Sequence, residues 1–382
     1  MPYKISGTLS DAARIIIIKE SNWAAETNSS ESSGAYEIDS LDSGTKLIVA
    51  RKSDGEIKSY STVTPIYYAN DTGCFAGGFS SVAEDNCNII DYIAISTTGN
   101  ATNFGDLTDQ KINDHTSASN GPNDRGVFMA GTWSPGGLTR TNIIEYITIS
   151  SPGNAQDFGD LLTERNERPG GTSNNSGNRA VIGAGRTSAE VYLNDIEYFN
   201  LASLGNASFF GNVTVGRYDL SACSNGTNNR ALFIGGWQSP GTYSNIIDYI
   251  TITSTGNASD FGDMYALGRW TNATSNLTNN RGVIAGGRRG PSPVYSNTIE
   301  YINISSLSNG VNFGDLSEGV YSPGAASNGT SNRGVFAGGQ FGSYSYQHRN
   351  IIDYITITST GNASDFGDLT EPRSGCWGVS NA

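Results

Sequence analysis

A nineteen-residue segment, NIIDYITITSTGNASDFGD, occurs twice without a change, at 245–263 and at 350–368. Four degraded copies begin at Asn88, Asn142, Asn194 and Asn297. An acidic residue recurs at Asp91, Glu145, Glu197, Asp248, Glu300 and Asp353 in steps of 51 to 54, and a Phe-Gly pair begins thirteen residues after each. A second element precedes every copy: TGCFAGG from Thr72, RGVFMAG from Arg125, RAVIGAG from Arg179, RALFIGG from Arg230, RGVIAGG from Arg281 and RGVFAGG from Arg333. A repeat this regular constrains the chain to an array, in which each unit buries its apolar surface against the next.

Each unit holds four strand-sized runs, because a small-residue stretch such as SACSNG or GAASNG precedes the Gly-rich element. Four strands at a period of about fifty is the pattern of a propeller blade. Along NIIDYITI apolar side chains fall on both strand faces, as a sheet sandwiched between neighbours requires. The units resemble the kelch family, in which the second strand ends in Gly-Gly, the third carries an acid and a Tyr, and the fourth opens near a Trp. Here Gly286-Gly287, Glu300-Tyr301 and Phe313 hold those places, with Phe in place of Trp in all six units. The expected fold is therefore all-β: a six-bladed kelch-like β-propeller over 67–382.

The first unit opens on its second strand, and the chain ends in SGCWGVSNA, which aligns with a first strand and stops. The closing blade is thus expected to combine 374–381 with 72–108. Cys74 and Cys376 fall on strands expected to be adjacent, so a bond between them would staple the ring. Buried free thiols are the alternative.

Residues 1–66 do not repeat. KISGTL, ARIIIIKES, GAYEIDSL, GTKLIVARK and IKSYSTVTPI lie between Gly, Ser and Asp turns, a small β-sandwich pattern. The stretch resembles carboxypeptidase-regulatory or transthyretin-like modules. Such a module followed by kelch-like repeats resembles structural proteins of marine tailed bacteriophages, and the resemblance implies a virion protein: a tail fibre, tail tip or capsid appendage.

The formal charge of −13 disfavours a nucleic-acid surface. No apolar run reaches the length of a membrane helix, and the opening MPYKISGTLS lacks the apolar core of a secretion signal, so synthesis in the host cytoplasm and no membrane insertion are expected. Asn-x-Ser/Thr triplets at Asn100, Asn257 and Asn362 fall in repeated turns, which argues against glycosylation. Copper chemistry would need a cluster of imidazole or thiolate ligands, whereas His115 and His348 lie in different units. No Gly-x-Ser-x-Gly elbow, phosphate loop or Cys-x-x-Cys pair is present. No cofactor is expected; calcium on the carboxylates of the FGD triplets, at Asp106, Asp160, Asp263, Asp315 and Asp368, is the alternative. A sixfold ring of acids is poor evidence of catalysis, because an active site is asymmetric. The acids are instead expected to pair with the arginines that recur once per blade, Arg125, Arg179, Arg230, Arg281 and Arg333, with Thr72 as the exception.

In an antiparallel four-stranded blade, the connections from second to third strand and from fourth strand to the next blade share one face. Those connections differ in every unit, whereas the turns on the opposite face are monotonous. They gather Trp133, Tyr192, Trp237, Tyr243, Trp270, Arg288, Arg289, Tyr295, Phe341, Tyr344 and Tyr346, joined by Arg217 and Tyr321. Aromatics and Arg on loops of a rigid scaffold make a binding surface. The function expected from sequence is a non-enzymatic virion protein, docked through residues 1–66 to other virion proteins and displaying a face for a host protein or glycan. Self-association is possible on this reading, and a propeller-type lectin or carbohydrate-active enzyme is the alternative.

Overall fold

The structure is a computed structural model that describes five strands within residues 5–63 and, with side chains, residues 71–382. Residues 83–84, 109–113, 134–138, 240, 291–293 and 343–346 are excepted, as are the side chains of 133, 139 and 294. The chain divides into two compact units, Met1–Ala69 and Asn70–Ala382. In the first, Ile5–Lys19 pairs with Thr45–Ser53 along one edge, and with Ser32–Ile38 and Ala25–Asn28 along the other. Glu56–Val63 extends the sheet beyond Thr45–Ser53. Five strands are thus joined in one antiparallel sheet through a fifteen-residue strand with irregular register at two points.

The second unit is a six-bladed β-propeller. Blade 2 shows the pattern: Thr116–Ser119, Arg125–Met129, Thr139–Thr148 and Gln156–Arg165 pair in sequence order, all antiparallel. Blades 3 to 6 repeat this order, with first strands at Gly170–Ser173, Ser221–Ser224, Asn272–Ser275 and Gly324–Ser327. Blade 1 takes its second, third and fourth strands from Thr72–Ala76, Ile89–Ala94 and Thr102–Asp106, and its first strand from Trp377–Ser380. The first strands line a central channel, and Trp377–Ser380 touches those of both blade 6 and blade 2, so the ring is closed.

Three motifs of the repeat fasten each blade to the next. In the TGN turn, the Asn side-chain oxygen accepts the backbone N–H of the FGD residue in the preceding blade: Asn154 from Asp106 at 3.1 Å, Asn257 from Asn212 at 3.0 Å, Asn100 from Asp368 at 3.1 Å. The FGD glycine lies against that turn so closely that a Cβ on Gly211 would stand 2.0 Å from the Gly256 carbonyl. On the same face, each SNG asparagine accepts the first N–H of its second strand and donates to the next blade. Asn120 reaches Asn178, Asn174 reaches Asn229, Asn225 reaches Asn280 and Asn276 reaches Asn332, all at 2.9 to 3.0 Å. Asn328 to Asp71 and Asn381 to Asp124 complete the circle. The receiving Asn residues sit at φ of +63 to +69°, a left-handed turn that asparagine tolerates.

The third fastening is made by the recurring arginines. Arg125, Arg179, Arg230, Arg281 and Arg333 lie 4.5 to 4.8 Å above Tyr146, Tyr198, Tyr249, Tyr301 and Tyr354 of their own blades. Each donates to a backbone carbonyl at the end of the next blade's third strand, as Arg125 does to Leu201 at 2.7 Å and Arg281 to Ile357 at 3.0 Å. They do not pair with the acids, contrary to expectation. The register explains why: Arg125 stands opposite Thr148 whereas Glu145 stands opposite Phe128, three residues and about 10 Å along the strand.

All four cysteines are free and buried. The Cys74–Cys376 bond does not form, because Cys74 stands opposite Val379 and packs in the layer between blades 1 and 2, whereas Cys376 packs between blades 6 and 1. The two thiols lie on opposite faces of one sheet. Ring closure therefore depends on the strand ladder, the burial of Trp377 and Val379, and the Arg373–Asp91 ion pair at 3.0 Å. Deleting residues 373–382 removes two buried apolar side chains, leaves the Thr72–Ala76 strand without its partner and strands the buried Asp91 carboxylate, a loss of at least ~5 kcal/mol. The melting temperature is expected to fall by ~10 °C or more. An intact melting curve in calorimetry would show that the ladder does not hold the ring.

Candidate functional site

The six third-strand acids have no solvent exposure, so a buried charge must find donors. The first set comes from just after the fourth strand of the preceding blade. The backbone N–H and hydroxyl of Thr108 reach Glu145 at 2.7 and 2.6 Å, the hydroxyl of Thr214 reaches Asp248 at 2.7 Å, that of Thr370 reaches Asp91 at 2.6 Å, and the N–H of Tyr265 reaches Glu300 at 2.6 Å. The second set is arginine. Arg373 binds Asp91, Arg165 binds Glu197, Arg217 binds Asp248, Arg289 binds Glu300 and Arg349 binds Asp353. Arg165 ends the fourth strand of blade 2 and Arg217 and Arg373 come from the connection between blades, but Arg289 and Arg349 come from the connection between second and third strands.

Two members of the expected binding face are therefore structural. Arg217 is fully buried, and Arg289 reaches Glu300 at 2.5 Å with 8% exposure. The reason is the same for both: an acid on a sandwiched strand draws the nearest guanidinium inward. Tyr344 and Tyr346, and the side chain of Trp133, lie outside the described residues. Phe341 is half-buried against the layer between blades 5 and 6. Tyr192 is half-buried, its ring 5.1 Å from that of Tyr218.

The connections are not loose loops. In blade 5 the two-residue strands Gly268–Arg269, Arg288–Arg289 and Val294–Tyr295 form a small sheet above the main one, and Arg217–Tyr218, Trp237–Gln238 and Thr242–Tyr243 do the same in blade 4. Gln340–Phe341 pairs with Gln347–His348 in blade 6, with a bridge from Tyr321 to Gln340. These sheets hold a continuous stack. Trp237 lies 4.3 Å from the Arg269 guanidinium, which lies 3.7 Å from Trp270; the Trp270 and Tyr321 rings are 4.9 Å apart, as are Tyr321 and Tyr295. Tyr243 meets Trp237 edge-on at 5.0 Å, and Asp219 anchors Arg269 at 3.1 Å. The stack brings Trp237, Tyr243, Trp270 and Tyr295 together with Tyr321 across blades 4 to 6. Arg269 was missed from sequence, because nothing separates it there from a solvated charge.

On blades 2 to 4 the same face is charged instead. Glu167 binds Arg186 at 2.8 Å, Glu190 binds Arg140 at 3.1 Å and also contacts Arg186, and Arg186 lies 5.3 Å over Tyr218.

Between the two halves lies the mouth of the channel. The residue two before each first strand is Asp114, Arg168, Asp219, Trp270, Ser322 or Gly375, five residue types in six blades. Backbone bonds link them across blades, as from Trp270 N–H to Asp219 and from Ser322 N–H to Trp270. From Arg168 to Ser322 they share φ of +55 to +58°, and Gly375 has +71°. One backbone conformation carrying Arg, Asp, Trp, Ser and Gly shows that the blade dictates the geometry and leaves the side chain free. Burial pushes Asp219 up to about 8, with Glu167 and Asp114 adding to the shift against the pull of Arg269. Burial likewise pushes Asp114 up to about 6. Beneath the mouth, Trp377 stands where the other first strands begin with Thr, Gly, Ser or Asn, and the Arg168 guanidinium lies 5.1 Å from its ring. The channel cavity is about 100 Å³, lined mainly by Ser, Thr and Ala, below the roughly 300 Å³ of a small-molecule pocket. Among the described residues, no group of three or more His, Cys, Asp or Glu is placed to hold a metal.

No family model matches this chain, and no curated protein matches it. Among solved structures, one titled "Structure of YjhT" superposes with a TM-score of 0.58 at 11% identity, over 78% of this chain and 94% of its own. That likeness is one of fold.

Because Asp219 holds its proton more tightly folded than unfolded, its contribution to stability is fully present below about pH 4 and is lost as pH rises toward 8. Asp219→Asn should remove this slope, so that the melting temperature falls less from pH 5 to pH 8 than in the parent; an unchanged slope would refute the assignment. Arg289→Ala, which leaves Glu300 buried without its partner, should cost about 3–5 kcal/mol in denaturant unfolding. Arg288→Ala should stay within about 0.5 kcal/mol of the parent.

Proposed function

We propose that this chain is a non-enzymatic attachment protein of a tailed bacteriophage particle. Its first 66 residues dock to other virion proteins, and the propeller presents its variable face to a protein or glycan of the host surface. The observation that carries the binding role is the stack from Trp237 through Arg269, Trp270 and Tyr321 to Tyr295. It is built from positions the repeat does not dictate and held rigid by the small upper sheets, so little ordering entropy opposes contact. The virion role rests on the resemblance of the N-terminal stretch and the repeats to phage structural proteins. The buried carboxylates Asp114 and Asp219 at the mouth favour a second reading, a carbohydrate-active propeller, because raised carboxyl groups serve as proton donors.

Trp237 and Tyr295 end the stack. Replacing both with Ala should weaken attachment of the labelled protein to host cells at least tenfold while the melting temperature stays within about 5 °C. Unchanged attachment would overturn the binding role. Mass spectrometry of purified particles tests the virion placement, which fails if the chain is not an abundant component; release of reducing sugar from host glycans would support the enzymatic reading.

A further inference from the structure

Fifteen arginines lie in residues 70–382. Eight form ion pairs with carboxylates. Five are the stitches that stack on a tyrosine and donate to a carbonyl of the next blade. Among the described residues, Arg168 and Arg288 have neither kind of partner. Arg168 is buried against Trp377, with Asp219 and Asp114 acting on it through space. Arg288 has no such compensation. It is half-buried, its Nε has no hydrogen-bond partner, and its guanidinium lies 6.0 Å from the Trp270 ring.

The backbone ladder sets Arg288 directly opposite Arg269, and on its other side opposite Tyr295. Like charges facing one another across strands are destabilising, and the carboxyl group of Asp219 lies against Arg269, at 3.1 Å, and not against Arg288. An anion brought to this pair would relieve the repulsion by meeting the terminal nitrogens of the Arg288 guanidinium, which are not buried as its Nε is. The rings beside it favour an anion too. Trp270 is covered by Arg269 on one side and Tyr321 on the other, and Tyr321 by Trp270 and Tyr295. What Trp270 offers a ligand is therefore its edge, the positive part of an aromatic quadrupole. A sugar ring needs a free aromatic face to stack upon; a carboxylate on a flexible backbone needs only an edge and a guanidinium fork.

We propose that Arg288, backed by Arg269 and flanked by Trp270 and Tyr295, receives a side-chain carboxylate from an acidic segment of a protein partner. This deepens the attachment role proposed above and rests on it. Tryptophan fluorescence can follow titration of the full chain with hexaglutamate, with hexaglutamine as the uncharged control and trigalacturonate as the same carboxylate on a sugar backbone. Hexaglutamate should bind saturably and hexaglutamine should not. Raising salt should weaken the interaction, Arg288→Ala should weaken it at least tenfold with an unchanged melting temperature, and Arg288→Lys should restore part of the loss. The inference is overturned if hexaglutamate does not saturate, if Arg288→Ala binds like the parent, or if hexaglutamine binds equally. Tenfold tighter binding of trigalacturonate would overturn it in favour of an acidic glycan. Should hexaglutamate fail while the Trp237 and Tyr295 double variant still loses attachment, the attachment role stands and only the acidic partner falls.

Discussion

Six carboxylates without solvent exposure, one on each third strand, set the terms on which this ring can form. An ionised carboxyl group in a sandwiched sheet is tolerated only with several donors at close range. The donors come partly from the preceding blade, as Thr108 serves Glu145 and Thr370 serves Asp91. No blade can therefore satisfy its own acid alone. The Asn circle and the arginine stitches on the opposite face repeat this dependence, so each sheet is complete only when its neighbours are in place. The last neighbour relation, between blades 6 and 1, requires a strand from the far end of the chain, and Arg373 of that same segment supplies the guanidinium for Asp91. Ring closure and charge burial are thus one event.

The propeller was legible because its strands obey a strict period, and the period survives substitution: Phe-Gly thirteen residues after an acid needs no tertiary knowledge to find. The partners of those acids were not legible. One guanidinium group ends a fourth strand, two come from the connection between blades and two from the connection within them, and charge has no preference for sequence position, only for distance. Aligning the repeats put Arg125 and its equivalents forward, since they recur once per unit. They recur because in five of the six blades one residue supplies both a cation over the tyrosine and a donor for the next blade's last carbonyl. A constant residue thus marked a constant backbone requirement, whereas the irregularly placed arginines answered a constant electrostatic one.

The same distinction separates scaffold from site. Arg288 and Arg289 are adjacent in sequence and equally plausible as surface residues, yet the alternation of a two-residue strand sends Arg289 inward to Glu300 and leaves Arg288 beside Trp270. The tyrosine and tryptophan residues of the variable connections could be read as a surface set. That four of them interleave with Arg269 in one ordered stack could not, because the stack joins four separate connections across blades 4 to 6.

Rigidity on this face has a consequence for recognition. A ring buried between two others has little freedom left to lose, so contact with it carries a small entropic penalty. It has also surrendered its faces, so it contributes shape and edge electrostatics more than stacking. The charged half around Glu167, Arg140 and Arg186 is internally paired and partly exposed, and contributes little net attraction. The asymmetry of the face therefore lies in which cations have been neutralised from within. Where the fold leaves a guanidinium uncompensated in a chain of net charge −13, the missing countercharge is most economically supplied from outside, and the repeat has no position from which to supply it.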